Sequence, residues 1–348
     1  MNFRAKSGSW KSLAVLLAFC FCISAFTPPL YAQSPRERVT IRYGYLPIPV
    51  MPLFSARVYK LLEQEGIDLQ LIKFTSGPAE FQALQSGSID TAQGSLPAFY
   101  MGYTRGLDAK WIYSFGNYGP LEALVIPKGS AVRDLKDLRG KKVTAPSGTI
   151  LNLAHLYSLN RAGLTTEDVQ FVPLQPPQAM AAILNGDVDA AWLWEPFISN
   201  VVEKGGRVIA SNKTLGLLSP FGIAANSKWL QDKRNVDALG RMLHAFDEGQ
   251  RRFLKEREPT LAEIKAVTGI ERDLSTKIID GIEWYTVADQ LDAGSPISLA
   301  NPTNLQSGAS FLLKDKYEET ALKAKMIEKR GDIPGFIDNR PARAAIGK

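Results

Sequence analysis

The residues of this chain best suited to chemistry are small and uncharged: Gly94-Ser95, Ser147-Gly148-Thr149 and Pro49-Val50-Met51. Each set stands where a strand-like run gives way to a helix-like one. A helix start leaves N–H groups unpaired and carries partial positive charge, which makes it a site for anions. Glycine lets a ligand approach the backbone closely, and the hydroxyls of Ser95, Ser147 and Thr149 add donors. Taken singly, each turn is an ordinary helix cap. Taken together, with Ser95 and Ser147 in different halves of the chain, they describe a cleft for a small oxyanion. Catalytic patterns are missing: there is no G-x-S-x-G elbow, no phosphate-cradling glycine loop and no H-E-x-x-H. His155 and His244 each fall inside a helical stretch and are expected to be packed or surface residues. Asp187 and Asp189 follow a helix-ending glycine, where Asp commonly caps a turn.

The elements that must hold these turns are written twice. Residues 174–199 read as a helix opened by Pro176-Pro177, a stop at Asn185-Gly186, an apolar strand ending at Trp194, and a break at Glu195-Pro196. Residues 78–97 superpose on residues 177–196 at one fixed offset and without a gap. Pro78 meets Pro177, Gly87 meets Gly186, Ile89-Asp90 meets Val188-Asp189, and Pro97 meets Pro196. Such an internal repeat implies two similar α/β lobes. Open α/β sheets bind ligands at the carboxyl ends of their strands. Here those ends are Gly94-Ser95 in one lobe and Trp194-Glu195 in the other.

The flanking sequence fits this plan. Lobe one opens with a strand over 39–45, a loop over 46–50, a helix over 52–65 and a strand over 68–74. Lobe two repeats it with a strand over 141–145, the Ser147 turn, a helix over 150–161 and a strand over 169–173. The pattern predicts parallel sheets with helical crossovers. Extended runs over 122–126 and 221–225 are expected to connect the lobes, with hinge motion near Val125 and Ile223. Beyond residue 236 the chain reads as helices over 236–253, 260–267, 274–285 and 306–330, which are expected to pack back on lobe one.

Residues 1–32 read as a secretory signal peptide, with Arg4, Lys6 and Lys11 before a short apolar run and Leu30-Tyr31-Ala32 at the cleavage position. Both cysteines, Cys20 and Cys22, fall within it, so the mature chain carries no disulfide and no thiolate metal site. The segment holds three of the six net positive charges; the +3 that remains does not point to a nucleic-acid partner. Hydrophobic content of 45% and charged content of 22% are those of a soluble globular protein.

The run EALVIPKGSAVRDLKDLRGKKV, the PSGT turn, LQPP and NGDVDAAWLWEP, in that order and followed by a helical tail, resembles the periplasmic solute-binding proteins of taurine, nitrate and aliphatic-sulfonate ABC importers. The resemblance covers essentially the whole mature chain and is strongest over 134–196. It implies a two-lobed periplasmic-binding-protein fold of type II, α/β, with lobe one over 33–122 and 222–348 and lobe two over 123–221. It implies a monomer without cofactor that closes on a small sulfonate-like anion and delivers it to the membrane permease subunits of an ABC importer. The ligand residues it implies are Tyr45, Pro47, Met51, Gly94, Ser95, Ser147, Gly148, Thr149, Asn152, Trp194 and Glu195. Asn152 stands where many relatives carry His. Phe221 stands where a taurine binder could place an Asp, leaving Glu122 and Glu195 as partners for an ammonium group. Rival ligands are nitrate, bicarbonate, an aromatic sulfonate and a pyrimidine. Tyr43, Tyr45, Trp194 and Phe221 could serve a larger ligand or belong to the core. An enzyme similar to thiamine-pyrimidine synthases is the rival from another class, and the expected leader argues against it.

Overall fold

The computed structural model describes residues 37–75 and 77–346, so the expected signal peptide lies outside the described residues. The strands in chain order are β1 (Val39–Tyr45), β2 (Ile67–Lys73), β3 (Thr91–Ser95), β4 (Ala109–Asn117), β5 (Glu122–Ile126), β6 (Lys142–Thr144), β7 (Gln170–Val172), β8 (Ala190–Trp194), β9 (Arg207–Ser211), β10 (Pro220–Asn226) and β11 (Glu283–Trp284). They form two sheets, ordered β11-β4-β10-β3-β1-β2 in lobe one and β7-β6-β8-β5-β9 in lobe two.

Both sheets follow one plan. The first strand of each lobe pairs in parallel with the second and third (β1 with β2 and β3, β6 with β7 and β8). The crossover strand then enters antiparallel between the third and fourth: β10 between β3 and β4, β5 between β8 and β9. The parallel framework is therefore present, with one strand running against it near the middle of each sheet and β11 also running against it at the edge of lobe one. These two strands are the extended runs expected to act as connectors. Every residue of β5 and β10 is buried, as suits a strand covered on both faces. Val125 and Ile223 lie mid-strand, each held by ladders on both sides. The hinge expected at them is therefore misplaced, and the connections between the sheets are residues 118–121 and 212–219.

The repeat is visible residue for residue. Helices α1 (Met51–Val58), α2 (Gly77–Ser86), α3 (Leu96–Thr104), α4 (Ile150–Arg161), α5 (Pro176–Asn185) and α6 (Phe197–Glu203) flank the sheets. The pair α2–β3 corresponds to α5–β8 at the offset read from the sequence. Gly87 and Gly186 follow the two helices with φ of 72° and 80°, a conformation that costs glycine little. The repeated aspartates do more than cap a turn. Asp90 accepts from the Arg42 N–H at 2.8 Å and returns its own N–H to the Arg42 carbonyl at 2.8 Å. Asp189 does the same with Lys142, again at 2.8 Å each way. Each pair fastens the entry of the third strand to the first.

Helices α7 (Lys233–Lys255), α8 (Glu258–Thr268) and α9 (Arg272–Asp280) pack on lobe one as expected, with Leu239, Leu243, Phe246, Ile264 and Ile278 in one cluster with Leu53 and Phe54. Two helices differ from expectation. The helix expected over 52–65 breaks at Lys60, whose φ is 55°. The last helical stretch, 308–323, does not stay on lobe one: Leu312, Tyr317, Ala321 and the following Ile327 join the lobe-two cluster containing Ile150, Leu151 and Ala154. Its Glu318 meanwhile holds the hydroxyl of Tyr100, on α3 of lobe one, at 2.6 Å. An apolar stripe in sequence identifies a buried face but not the lobe that buries it.

Candidate functional site

On lobe one, β1 delivers Tyr45 to the carboxyl end of the sheet, and the loop that follows is tied down by Gln93. The Gln93 amide donates to the Leu46 carbonyl at 2.8 Å and accepts from the Tyr43 hydroxyl at 3.2 Å. Sequence reasoning passed over Gln93. Its signal was a polar residue inside the small-residue strand TAQGS, all of it buried. Tyr45 and Met51 are buried and Pro47 is half-buried. Burial raises the Tyr45 phenol, with Arg57 opposing the shift. Gly94 and Ser95 end β3, and Ser95 caps α3 without spending its side chain on the helix. Ser95 lies opposite Phe221 in the β3–β10 pair, and Phe221 stacks on Tyr118 with ring centroids 4.6 Å apart. Tyr43, Tyr45 and Phe221 are thus core residues, while Trp194 keeps a half-exposed face.

On lobe two, β6 runs into Pro146 and an exposed Ser147, and Gly148 turns the chain at φ 72°. Thr149 caps α4 without a side-chain bond to the helix; its hydroxyl donates to the Pro146 carbonyl at 2.7 Å. That proton closes the turn and is not available to a ligand. Among the described residues, the backbone N–H groups of Ser147, Gly148 and Thr149 donate to nothing. The Ser147 hydroxyl and the side-chain amide of the half-buried Asn152, in the first turn of α4, likewise show no hydrogen bond among the described residues. The turn therefore offers free donors at the start of a twelve-residue helix. Ser147 and Gly148 share a groove of about 860 Å³ with Pro78 and Ala98, the first turns of α2 and α3 in lobe one. The donor turn of lobe two thus faces the helix starts of lobe one.

The two carboxylates expected to meet an ammonium group already have protein partners. Glu195 accepts from the Ser199 N–H and the Ser199 hydroxyl, both at 3.0 Å, and so caps α6. Glu122 is buried opposite Trp194 and accepts from Asn212 and, at 3.1 Å, from Ser219. Burial pushes its carboxyl up to about 8, with those two hydrogen bonds opposing the shift, so it is mainly protonated at neutral pH.

Of the histidines, one is packed and one lies at the surface. His155 is buried with its ring stacked on Phe171 at 5.0 Å, and burial pushes its imidazole down to about 4. His244 lies 3.3 Å from Glu65. Among the described residues no cluster of three or more His, Cys, Asp or Glu could hold a metal, and no helix is long and apolar enough to cross a membrane.

Comparison with known proteins gives a consistent outcome. The profile of the NMT1-like family matches residues 34–264. A Bacillus subtilis (strain 168) protein, provisionally named an aliphatic sulfonates-binding protein, is 26% identical over 347 residues, covering 97% of each chain. The taurine-binding periplasmic protein of Escherichia coli (strain K12) is 28% identical over 214 residues, 62% of this chain and 64% of its own. Among solved structures, the periplasmic aliphatic sulphonate binding protein SsuA from Escherichia coli has a TM-score of 0.70 at 22% identity, over 86% of this chain and 92% of that one. The desulfurization enzyme DSZB has a TM-score of 0.62 at 14% identity, over 89% and 98%. At these identities the structural likeness speaks for the fold, which is that of periplasmic binding proteins.

Proposed function

This chain belongs to the NMT1-like family, and from that premise we propose that it is the extracytoplasmic solute-binding component of an ABC importer. Its ligand is a small sulfonate-like anion, taurine or an aliphatic sulfonate, captured between the two lobes and passed to the permease. The observation that carries this reading is the Ser147–Thr149 turn, whose free N–H groups and free Ser147 hydroxyl face the helix starts of lobe one across a shared groove. The named relatives support a binding role and a periplasmic location. A fold shared with an enzyme does not by itself distinguish binder from catalyst.

In this reading Gly94-Ser95 and the Ser147 turn hold the oxyanion from opposite sides, with Asn152 as a further donor and Trp194 as an apolar wall. Pro47 lies at the lobe-one rim, backed by the buried Tyr45 and Met51. The lobes close about residues 118–121 and 212–219, the short connections between the sheets, with the 308–323 stretch as a third link between them. A thermal-shift series with ethanesulfonate, taurine, nitrate and bicarbonate tests it. A ligand bound only by the folded state at a hundred times its Kd stabilises by about 2.7 kcal/mol, so a sulfonate should raise the melting temperature measurably. No shift with either sulfonate, or a larger one with nitrate, would refute the ligand class.

A further inference from the structure

In the first turn of α2 stands an acid with nothing to hold. Glu80 is fully buried, and among the described residues neither of its carboxyl oxygens has a hydrogen-bond partner. Burial holds the carboxyl well above its ordinary range; the nearby Gln93 N–H opposes the shift without completing a hydrogen bond. No charged group is among the causes. Its ionisable neighbours are otherwise engaged or turned away. On β1 they are Arg42, committed to Asp90, and the buried phenols of Tyr43 and Tyr45. On β2 they are Asp68, held by Thr40, and the exposed Lys73. Strands β3 and β10 carry none, and α3 carries Tyr103 and Tyr100, which is bonded to Glu318.

The fold makes room for this acid. A Cβ on Gly44 would lie 3.4 Å from Glu80 Oε1, 3.2 Å from Phe74 and 2.7 Å from Ile89. The repeat shows what packing alone requires there. At the offset that matches the lobes, Ala179 stands in the place of Glu80 and Thr144 in the place of Gly44. Gly44 pairs with Ala92 as Thr144 pairs with Ala191. Lobe two thus fills the space with a larger strand residue and a short helix residue, and needs no acid. Lobe one accepts a glycine inside β1, where glycine weakens a strand, and gains one. Packing does not account for Glu80.

Its position does. Gln93, whose N–H it approaches, holds the 46–50 loop through the Leu46 carbonyl at 2.8 Å. Gly94 and Ser95 follow Gln93 directly, Ser95 about 7 Å farther along the strand. We propose that Glu80 is a positioning residue that couples anion capture to a proton: it backs the lobe-one end of the anion site as a neutral acid, and an ionised Glu80 must take one proton from solvent when the anion binds. The inference rests on reading Gly94-Ser95 as part of the anion site. Two unit negative charges about 10 Å apart, at an effective dielectric constant of about 20, repel enough to weaken binding roughly tenfold. Affinity is therefore level while Glu80 keeps its proton and falls as pH rises through its ionisation.

Calorimetry with ethanesulfonate, whose own charge is fixed, tests the linkage from about pH 5 to about pH 9. The parent should bind with level affinity at the acid end and roughly tenfold more weakly at the alkaline end. Titrations in two buffers of different ionisation enthalpy should show proton uptake where affinity falls. Glu80→Gln keeps the shape without the ionisation; it should hold the acid-end affinity throughout and take up no proton. Glu80→Ala, which copies lobe two, is the second variant should the first fail to fold, and its profile should also be level. Glu122, at the crossovers, is raised to about 8 and titrates in the same range. A slope removed by Glu122→Gln and kept by both Glu80 variants would overturn the proposal, as would a level profile in the parent. Ethanesulfonate that binds at no pH would overturn the reading of the cleft, and the linkage with it.

Discussion

The Ser219 hydroxyl donates to the Glu122 carboxyl at 3.1 Å, and this bond joins the two crossovers between the lobes. Around it, the Tyr118 N–H donates to the Ser219 carbonyl at 2.9 Å and the Ser219 N–H to Asn117 at 3.0 Å. The two connections between the sheets are therefore fastened to each other where they meet.

The raised Glu122 carboxyl makes that fastening pH-dependent. Its pKa of about 8 in the fold exceeds that of the unfolded chain, so its contribution to stability is complete below about pH 4.5. That contribution is lost as pH rises toward and through 8. Glu122→Gln keeps the shape without the ionisation. The melting temperature of the variant relative to the parent should therefore climb between pH 5 and pH 8; a difference that stays constant would contradict the assignment.

Ser147→Ala should weaken ethanesulfonate binding about ten- to a hundredfold, the value of one hydrogen bond to a charged group. Thr149→Ala should cost clearly less affinity, because that hydroxyl already serves Pro146. Calorimetry on the pair separates a ligand donor from a turn-closing one; the reverse ranking would mean the anion sits elsewhere.

Ser95→Asp should abolish anion binding while leaving the fold intact. Asp is as good a helix cap as Ser, so α3 keeps its start. Its carboxylate would meet the ligand with like charge. A native melting curve together with unchanged affinity would remove Ser95 from the site.

Asp90→Ala should destabilise more than Asp189→Ala, although the two occupy matching places in the repeat. The Asp90 side chain is 4% exposed and also pairs with Arg42, whereas that of Asp189 is 43% exposed. Removing a partner from a buried donor costs about 1–3 kcal/mol, and an exposed one recovers part of that from water. Urea denaturation of both variants checks the order.

What the sequence made legible was whatever is specified locally. Gly186 and Gly87 marked helix ends, and the repeated Asp marked strand entries, because backbone conformation and short-range bonding decide both. The position of β5 and β10 in their sheets was not legible, since an apolar run carries no label for its neighbours. Side-chain commitments were hidden for the same reason. Glu195, Glu122 and Thr149 read as free groups until Ser199, Asn212, Ser219 and Pro146 were found beside them. Ser147 and Ser95 read the same way and remained uncommitted to their helices.

The place of β10 has a consequence for how the chain can be made. Until residues 220–226 exist, β3 and β4 have no common partner, and lobe one is two pieces with bare strand edges. Lobe two has all its strands by Ser211, yet its interior waits for Leu312, Tyr317 and Ile327. A chain emerging from its N-terminus thus cannot complete either half early. It stays unfinished until nearly all of it is available: Leu312, Tyr317 and Ile327 complete lobe two, and Phe336, Ala342 and Ala345 after them complete lobe one.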